Sequence, residues 1–592
     1  MTQPATKPPD PLSSPESGAL SVDPDTRVRA NDALLAPRFV AQLAHASDGI
    51  GMVHVLECWQ RRGVLSRFAR AGSGGLELGT LAAQSHANLG YLAVVVRVLA
   101  AQGWMWRTFQ PAKQTVEQTR AGLTPAGAQL VELVSTGAAA AQVVAFTPVA
   151  RRMAAYLDGR YDAEPGLPSL EQLSQWSSRG WGLPADDGAD GDTSRRWKAA
   201  LTGNLLGPVA SALALSPPFA WARGDGTREP ERRSYVGPCE PRRVEPATLR
   251  ELAALDVLAH AGWASWRDGV AEITPFGSYA LRRALAYGVP VSYLPLFENI
   301  EALLFGDAGR FWQRAPGAPE RHIDRALNVR ASGASHTRYF AAADELIVRA
   351  FDRPWPDQPL GFCDMGSGDG SWLEHVYELI TTRTERGRLM RAYPHDSRYR
   401  LVLVGADYNE AARAATHERL SRAGIGHLVT FGDINDPAAL REDLARRGID
   451  CQQLLHGNSF LVHNRPYVGV KSVTSAARRR AGDGAYAWRG RAIPNAELQQ
   501  NLVEFFTGWR EVIGQHGMIV IELHDPEQVT VGKTLTSYML THGLSDQFTV
   551  GLGAFLRAAA EAQLEVDHER QRLFPDSRSA AAISVSHLRV RV

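Results

Sequence analysis

Leu360-Gly361-Phe362-Cys363-Asp364-Met365-Gly366-Ser367-Gly368-Asp369-Gly370-Ser371 is the stretch on which the fold turns. A short apolar run ends in an acid, three glycines alternate with small polar residues, and a helical pattern runs from Ser371 to about Thr382. An apolar run of this length bounded by glycines reads as a buried strand. The glycines permit a turn too tight for a Cβ and a close approach of backbone to ligand, and the next helix offers its free N–H groups. The spacing is Gly-x-Gly-x-Gly, not the GxGxxG of a pyrophosphate-binding loop, so an adenosine-type ligand fits better than a dinucleotide.

Downstream, short apolar runs alternate with helices. Leu401 to Gly405, Leu428 to Phe431, Cys451 to Leu455 and Met518 to Leu523 read as further strands, with Leu564 to Leu573 and Ala582 to Val592 closing a seven-stranded sheet as a hairpin. Strands alternating with helices predict a Rossmann-like α/β domain. Asp407 ends the second strand, where both ribose hydroxyls of an adenosine would lie, and Asp433 follows the third, within reach of an adenine amino group. Each acid alone reads as a helix cap; three acids in the right strand order, Asp364, Asp407 and Asp433, read as a nucleoside site.

Upstream, 592 residues exceed one hydrophobic core and predict two to four domains. A hydrophobic share of 44% and a charged share of 21% exclude a mainly disordered or fibrous chain. The formal charge of +1 advertises neither nucleic acid nor an anionic membrane. The apolar run Gly137 to Val149 is short of the roughly 20 residues that span a bilayer. The polar start, Met1 to Asp25, lacks the apolar core of a signal peptide, and Cys58, Cys239, Cys363 and Cys451 show no CxxC spacing, so reduced thiols and a cytoplasmic protein are expected. The expected division is a tail over 1–30, a winged-helix-like domain over 31–135, a helical lid with a second, degenerate winged unit over 136–335, and the α/β domain over 336–592. The winged units share Gly103-Trp104 and Thr124-Pro125-Ala126-Gly127 in the first with Gly262-Trp263 and Thr274-Pro275-Phe276-Gly277 in the second. Asp186 to Arg195 and Ala222 to Pro238 are expected loops. The would-be recognition helix, Leu89 to Gln102, carries Arg97 as its one basic residue, so no nucleic-acid partner is expected; it suits a lid or a homodimer platform instead.

The fourth and fifth strands lead into histidines. His456 and His463 follow Leu454-Leu455, His524 follows Glu522-Leu523, and His542-Gly543-Leu544-Ser545-Asp546-Gln547 lies in the next insertion. Because strand ends face the ligand in this fold, His456 and His524 are expected to converge there. Imidazoles with an amide suit a first-row metal such as iron or manganese; without metal, His456 or His463 would serve as a general base. Five arginines between Arg478 and Arg491, around Tyr486 and Trp488, read as a solvated loop or a phosphate-contacting rim.

The Asp-x-Gly-x-Gly-x-Gly motif, Asp407 and Gly432-Asp433 resemble the class I S-adenosylmethionine-dependent methyltransferases over roughly residues 335 to 592. That resemblance implies Asp364, Gly366, Gly368 and Gly370 around the methionine part, Asp407 on ribose and Asp433 on adenine. The segments after strands four and five, with Gly490-Arg491 and Ile493-Pro494, resemble the narrower group of metal-dependent C-methyltransferases in polyketide-synthase loading modules of the apratoxin and gephyronic acid type. That resemblance implies α-carbon methylation of a carboxylic acid or malonyl-type acyl thioester, possibly on an acyl carrier protein. It implies a mononuclear iron or manganese held by His456, His524 and Gln547, with His463 as second choice. No carrier-like segment follows Val592, so action in trans is expected. The alternatives are a metal-free O-methyltransferase with a histidine base, and a ligand-sensing winged-helix regulator.

Overall fold

The computed structural model describes residues 24–185, 191–217, 219, 221, 242–313 and 320–591. Most of the expected tail, the expected loop 222–238 and Cys239 lie outside the described residues. The remaining cysteines, Cys58, Cys363 and Cys451, are free and buried.

The N-terminal half is built on two long helices, α1 (Pro24–Arg61) and, after the winged-unit helix α2 (Leu89–Ala101), α3 (Gly191–Leu215). Residues 191–195, expected in a loop, form the first turn of α3. Both winged units close a three-stranded antiparallel sheet: Leu76–Glu77, Arg120–Leu123 and Met105–Thr108 in the first, Arg242–Val244, Val270–Ile273 and Ala264–Arg267 in the second. The shared tetrapeptide has a physical basis. Thr124 and Thr274 cap the helix after each wing, accepting from Gly127 N at 3.1 Å and Gly277 N at 2.9 Å, with proline in the first helical turn. A Cβ at Gly127 or Gly277 would come within 1.7 or 1.8 Å of the carbonyl oxygen of Trp104 or Trp263, so the repeated Gly-Trp and Thr-Pro-x-Gly form one interlocked corner. Among the described residues no single helix is long and apolar enough to cross a membrane, and the run around Gly137 falls at a 68° bend between Pro125–Thr136 and Ala139–Ala145.

Helix α4 (Arg325–Phe351) leads into the α/β domain. Its strands are β1 (Gly361–Met365), β2 (Val402–Asp407), β3 (Leu428–Phe431), β4 (Leu454–Ser459), β5 (Met518–Leu523), β6 (Leu564–Val566), β7 (Arg572–Phe574) and β8 (Ile583–Val590). They pair in the order β6-β8-β5-β4-β1-β2-β3, with β1 to β5 parallel and β8 antiparallel to β5 and β6. The short β7 adds an eighth strand on β8; β6 and β7 both pair antiparallel with β8, so the chain ends the sheet as the expected hairpin, with β8 lying between β5 and β6. The doubled-back order starting from β1 puts the ligand crevice at the carboxyl ends of β1, β2 and β4. Two apolar clusters sandwich the sheet, one around α6 (Asn495–Arg510), the other around α4 and α5 (Ser371–Arg383). The N-terminal core is a third, and it takes in Ala487 together with Met539, Leu540 and Leu544 of α7 (Ser537–Leu544), a helix inserted after β5. The two halves are therefore joined by shared core.

Candidate active site

The glycine loop leaves β1 at Gly366, whose φ is +83°, and Gly370 (φ +76°) precedes the first residue of α5. Gly366 N donates to Ala406 O at 2.8 Å, tying the loop to β2. Asp407 accepts from Gly368 N at 3.1 Å and Asn409 N at 2.8 Å, so the acid expected on ribose also holds the loop in shape. Burial raises its carboxyl above the ordinary value. Asp364 is buried beneath the loop with Oδ1 unpartnered, and burial, followed by the nearby Asp407 and Asp369, holds its carboxyl well above the usual range. A buried polar oxygen without a partner is costly. Asp433 accepts from Asn435 N at 2.9 Å at the end of β3.

Two aromatics missed by the sequence reading stand at this edge. Tyr408 is 66% exposed and Phe431 is 52% exposed, with ring centroids 5.4 Å apart. Their signal was adjacency, since each flanks one of the acids: Asp407-Tyr408 and Phe431-Gly432-Asp433.

The histidines sort differently from the expectation. Strand β4 starts three residues later than the expected Cys451, because 451–453 form a 3-10 turn whose Asp450 side chain accepts from Gln452 N at 3.0 Å. His456 consequently sits within β4, paired with Met518, the first residue of β5. At about 3.3 Å per residue that is roughly 20 Å along the sheet from His524, so the two do not converge. His456 Nε2 meets Cys451 O at 2.9 Å and its ring lies against Trp509. His524 is at the correct edge, but its Nε2 bonds Ser584 Oγ at 2.8 Å and its Nδ1 faces Val550 O at 3.2 Å, so both nitrogens are occupied. Burial pushes both imidazoles down to about 4. The proposed ligand set His456, His524 and Gln547 is thus not assembled, and among the described residues no three His, Cys, Asp or Glu side chains form a metal-holding group.

What gathers at the edge is His463. Its Nδ1 pairs with Glu522 Oε1, and Glu522 also accepts from Val462 N at 2.9 Å and Leu523 N at 2.8 Å. The His542 ring lies edge-on to His463 at 5.1 Å, its Nδ1 on Tyr538 O at 2.7 Å; burial pushes its pKa down to about 3, leaving it neutral. Gln547 Nε2 donates to Tyr293 Oη and Ser545 Oγ, at 2.7 and 2.8 Å. His336 of α4 stacks at 4.1 Å on Phe460, the residue after β4, which holds a φ of +55°.

Family models match three stretches: an AprA MT2-like domain over residues 320–586, an AprA winged-helix domain over 243–307 and an AprA N-terminal domain over 40–107. The chain is a class I S-adenosylmethionine-dependent methyltransferase that resembles AprA. No curated protein matches it. Among solved structures it is similar to an O-methyltransferase family protein from Burkholderia thailandensis, with 11% identity, 65% of this chain and 94% of that one covered, and a TM-score of 0.36. It is also similar to the S-adenosylmethionine-dependent methyltransferase SibL in its apo form (13% identity, 66% and 98% covered, TM-score 0.33). A third is CalO1, a methyltransferase in calicheamicin biosynthesis, in its SAH-bound form (16% identity, 69% and 100% covered, TM-score 0.32).

The N-terminal half of the methyltransferase reaches this edge directly. Helix α2 lies against α7 and the short strand Arg491–Ala492, and Arg97 pairs with Asp525 at 3.3 Å. Most of α2 is buried, so the surface a recognition helix would offer to a DNA groove is already used inside the molecule.

Proposed function

We propose that this methyltransferase alkylates the carbon α to the carboxyl group of a carboxylic acid or malonyl-type acyl thioester, with His463 as the base. The observation that carries the reading is the His463–Glu522 pair at the end of β5. Glu522 fixes the imidazole by Nδ1, which leaves Nε2 to take the substrate's α-proton. The resulting carbanion attacks the sulfonium methyl in line, the carbon–sulfur bond breaks, and neutral S-adenosylhomocysteine leaves. Asp407 retains lone pairs for ribose beyond its two backbone donors, Asp433 accepts from the adenine amino group, and Tyr408 and Phe431 offer ring faces to the purine.

In the alternative in which a metal is present, an iron or manganese ion would be held through the Nε2 atoms of His463 and His542 with Gln547, in place of the set expected from sequence, and His463 would then be a ligand and not the base. Both imidazoles are fixed through Nδ1, one by a carboxylate, which is the usual support of a ligating histidine. Such an ion would act as a Lewis acid on the enolate oxygen. A carrier-bound substrate would meet the exposed Arg478 and Arg479 of helix Ser475–Arg480; Arg480 is engaged with Glu561 at 2.8 Å.

The test supplies methyl-labelled S-adenosylmethionine with a malonyl thioester, free or on a carrier protein, and locates the label by mass spectrometry and NMR. Label on the α-carbon, lost in His463→Ala, is the expected result. Label on oxygen would move the same base to a hydroxyl substrate and make the enzyme an O-methyltransferase. Elemental analysis of wild type beside His542→Ala decides the metal.

A further inference from the structure

Helix α7 carries His542 and leads into Gln547, yet it lacks a cap of its own. Its N-cap residue, Thr536, makes no side-chain capping bond. The orphan donors at a helix start need an acceptor, and this one comes from the other half of the chain. Asp48 of α1 accepts from Ser537 N on Oδ1 at 2.6 Å and from the Thr536 hydroxyl on Oδ2 at 2.6 Å. Gln102, also N-terminal, donates to Asp48 Oδ2 at 3.2 Å and to Thr536 Oγ1 at 2.7 Å, while its own carbonyl accepts from Arg196 at 2.9 Å. The far end of α7 is held in the same way. Val94 lies so close to Gly543 that a Cβ there would come within 2.6 Å of it, and Gln547 is anchored on Tyr293.

We propose that Asp48 is a positioning residue for methyl transfer: by capping α7 from the N-terminal half, it sets the height of His542 against His463. The carboxylate also complements the positive end of the helix. Met539, Leu540 and Leu544 plug α7 into the N-terminal core, but apolar contacts are non-directional and tolerate a slide along the helix axis; the two 2.6 Å bonds do not. The N-terminal region thereby supplies part of the active-site geometry, and the α/β domain alone lacks the group that fixes one of its two converging imidazoles.

This inference rests on the placement of the chemistry at His463, and its test reads His542 itself, so that the two can fail separately. Deuterium exchange at the imidazole C2 position, followed by mass spectrometry, is measured for each histidine in the full chain. Asp48→Ala, Asp48→Asn and Thr536→Val are compared with wild type, and calorimetry with S-adenosylmethionine verifies the fold. In Asp48→Ala, exchange at His542 should rise about five- to ten-fold, the scale of losing one helix cap, while His524 and His456 hold their wild-type rates. Asp48→Asn keeps an acceptor oxygen and should restore most of the protection. Should Asp48→Ala fail to bind cofactor, Thr536→Val carries the test, with an expected rise of about two- to five-fold. Unchanged exchange at His542 in a cofactor-binding variant overturns the proposal. So does an equal acceleration at every histidine, which would make Asp48 a general staple.

Discussion

The hydroxyl of Tyr91 donates to Asp546 Oδ1 over 2.7 Å, joining residues 455 positions apart. Tyr91 lies on α2 in the first winged unit, and Asp546 immediately precedes Gln547. The bond is buried, and burial raises Asp546 to about 6 although the tyrosine and the backbone N–H of Arg489 both favour its charged form. Removing the hydroxyl leaves a buried acceptor short of one partner. Tyr91→Phe should cost about 1 to 3 kcal/mol, read as a lower midpoint in denaturant with an unchanged slope. A neutral effect would mean that water replaces the hydroxyl.

Asp407 holds the glycine loop through Gly368 N, and in the proposed reading it also binds the cofactor ribose. Asp407→Ala should weaken S-adenosylmethionine by about 10- to 150-fold, the range of charge-assisted bonds. Isothermal calorimetry checks it, and unaltered affinity would remove Asp407 from the site.

His463 and His456 are seven residues apart and should behave oppositely. His463→Ala should abolish transfer while cofactor affinity stays within about three-fold, since the ring is tied to Glu522 and not to the glycine loop. Glu522→Gln should lower kcat more than KM, because the imidazole loses its carboxylate partner. His456→Ala empties a site against Trp509 far from the chemistry, so it should lower the melting temperature and leave kcat of the folded fraction near wild type.

Loss of hydration raises Asp48 to about 7 against its hydrogen bonds from Thr536, Ser537 and Gln102 and the more distant Arg196. A carboxyl whose folded pKa lies above its unfolded one binds protons more tightly in the folded state. Its contribution to stability is fully present below the unfolded value near 4 and is lost as pH rises toward 7. The melting temperature of Asp48→Asn relative to wild type should therefore improve steadily between pH 4 and pH 7 and level off above it. Parallel stability curves for the two proteins would contradict this.

What was legible in the sequence was what is local. The glycine loop, its three acids and the Thr-Pro-x-Gly corners each lie within a few residues, so the backbone constraint and the residue that meets it are read together. His456 departs from the expected edge through a local effect: Asp450 caps a turn over 451–453 and delays the strand by three residues, which moves the side chain about 10 Å from the edge. Glu522 and His524 are two residues apart on the sequence, and which of them meets His463 depends on how the segment after β4 folds back. The cap on α7 was beyond reach, because nothing in the residues around Asp48 signals a helix start 488 positions later.

The shared core also sets an order of assembly. Residues 39 to 331 supply nearly all of the N-terminal cluster, yet Ala487, Met539, Leu540 and Leu544 complete it. During synthesis at about 5 to 20 residues per second, the ribosome needs roughly 10 to 40 seconds to travel from residue 331 to residue 540. Through that interval the nascent N-terminal half lacks the four side chains that complete its core. The chain finishes its first domain only after most of its second has been made.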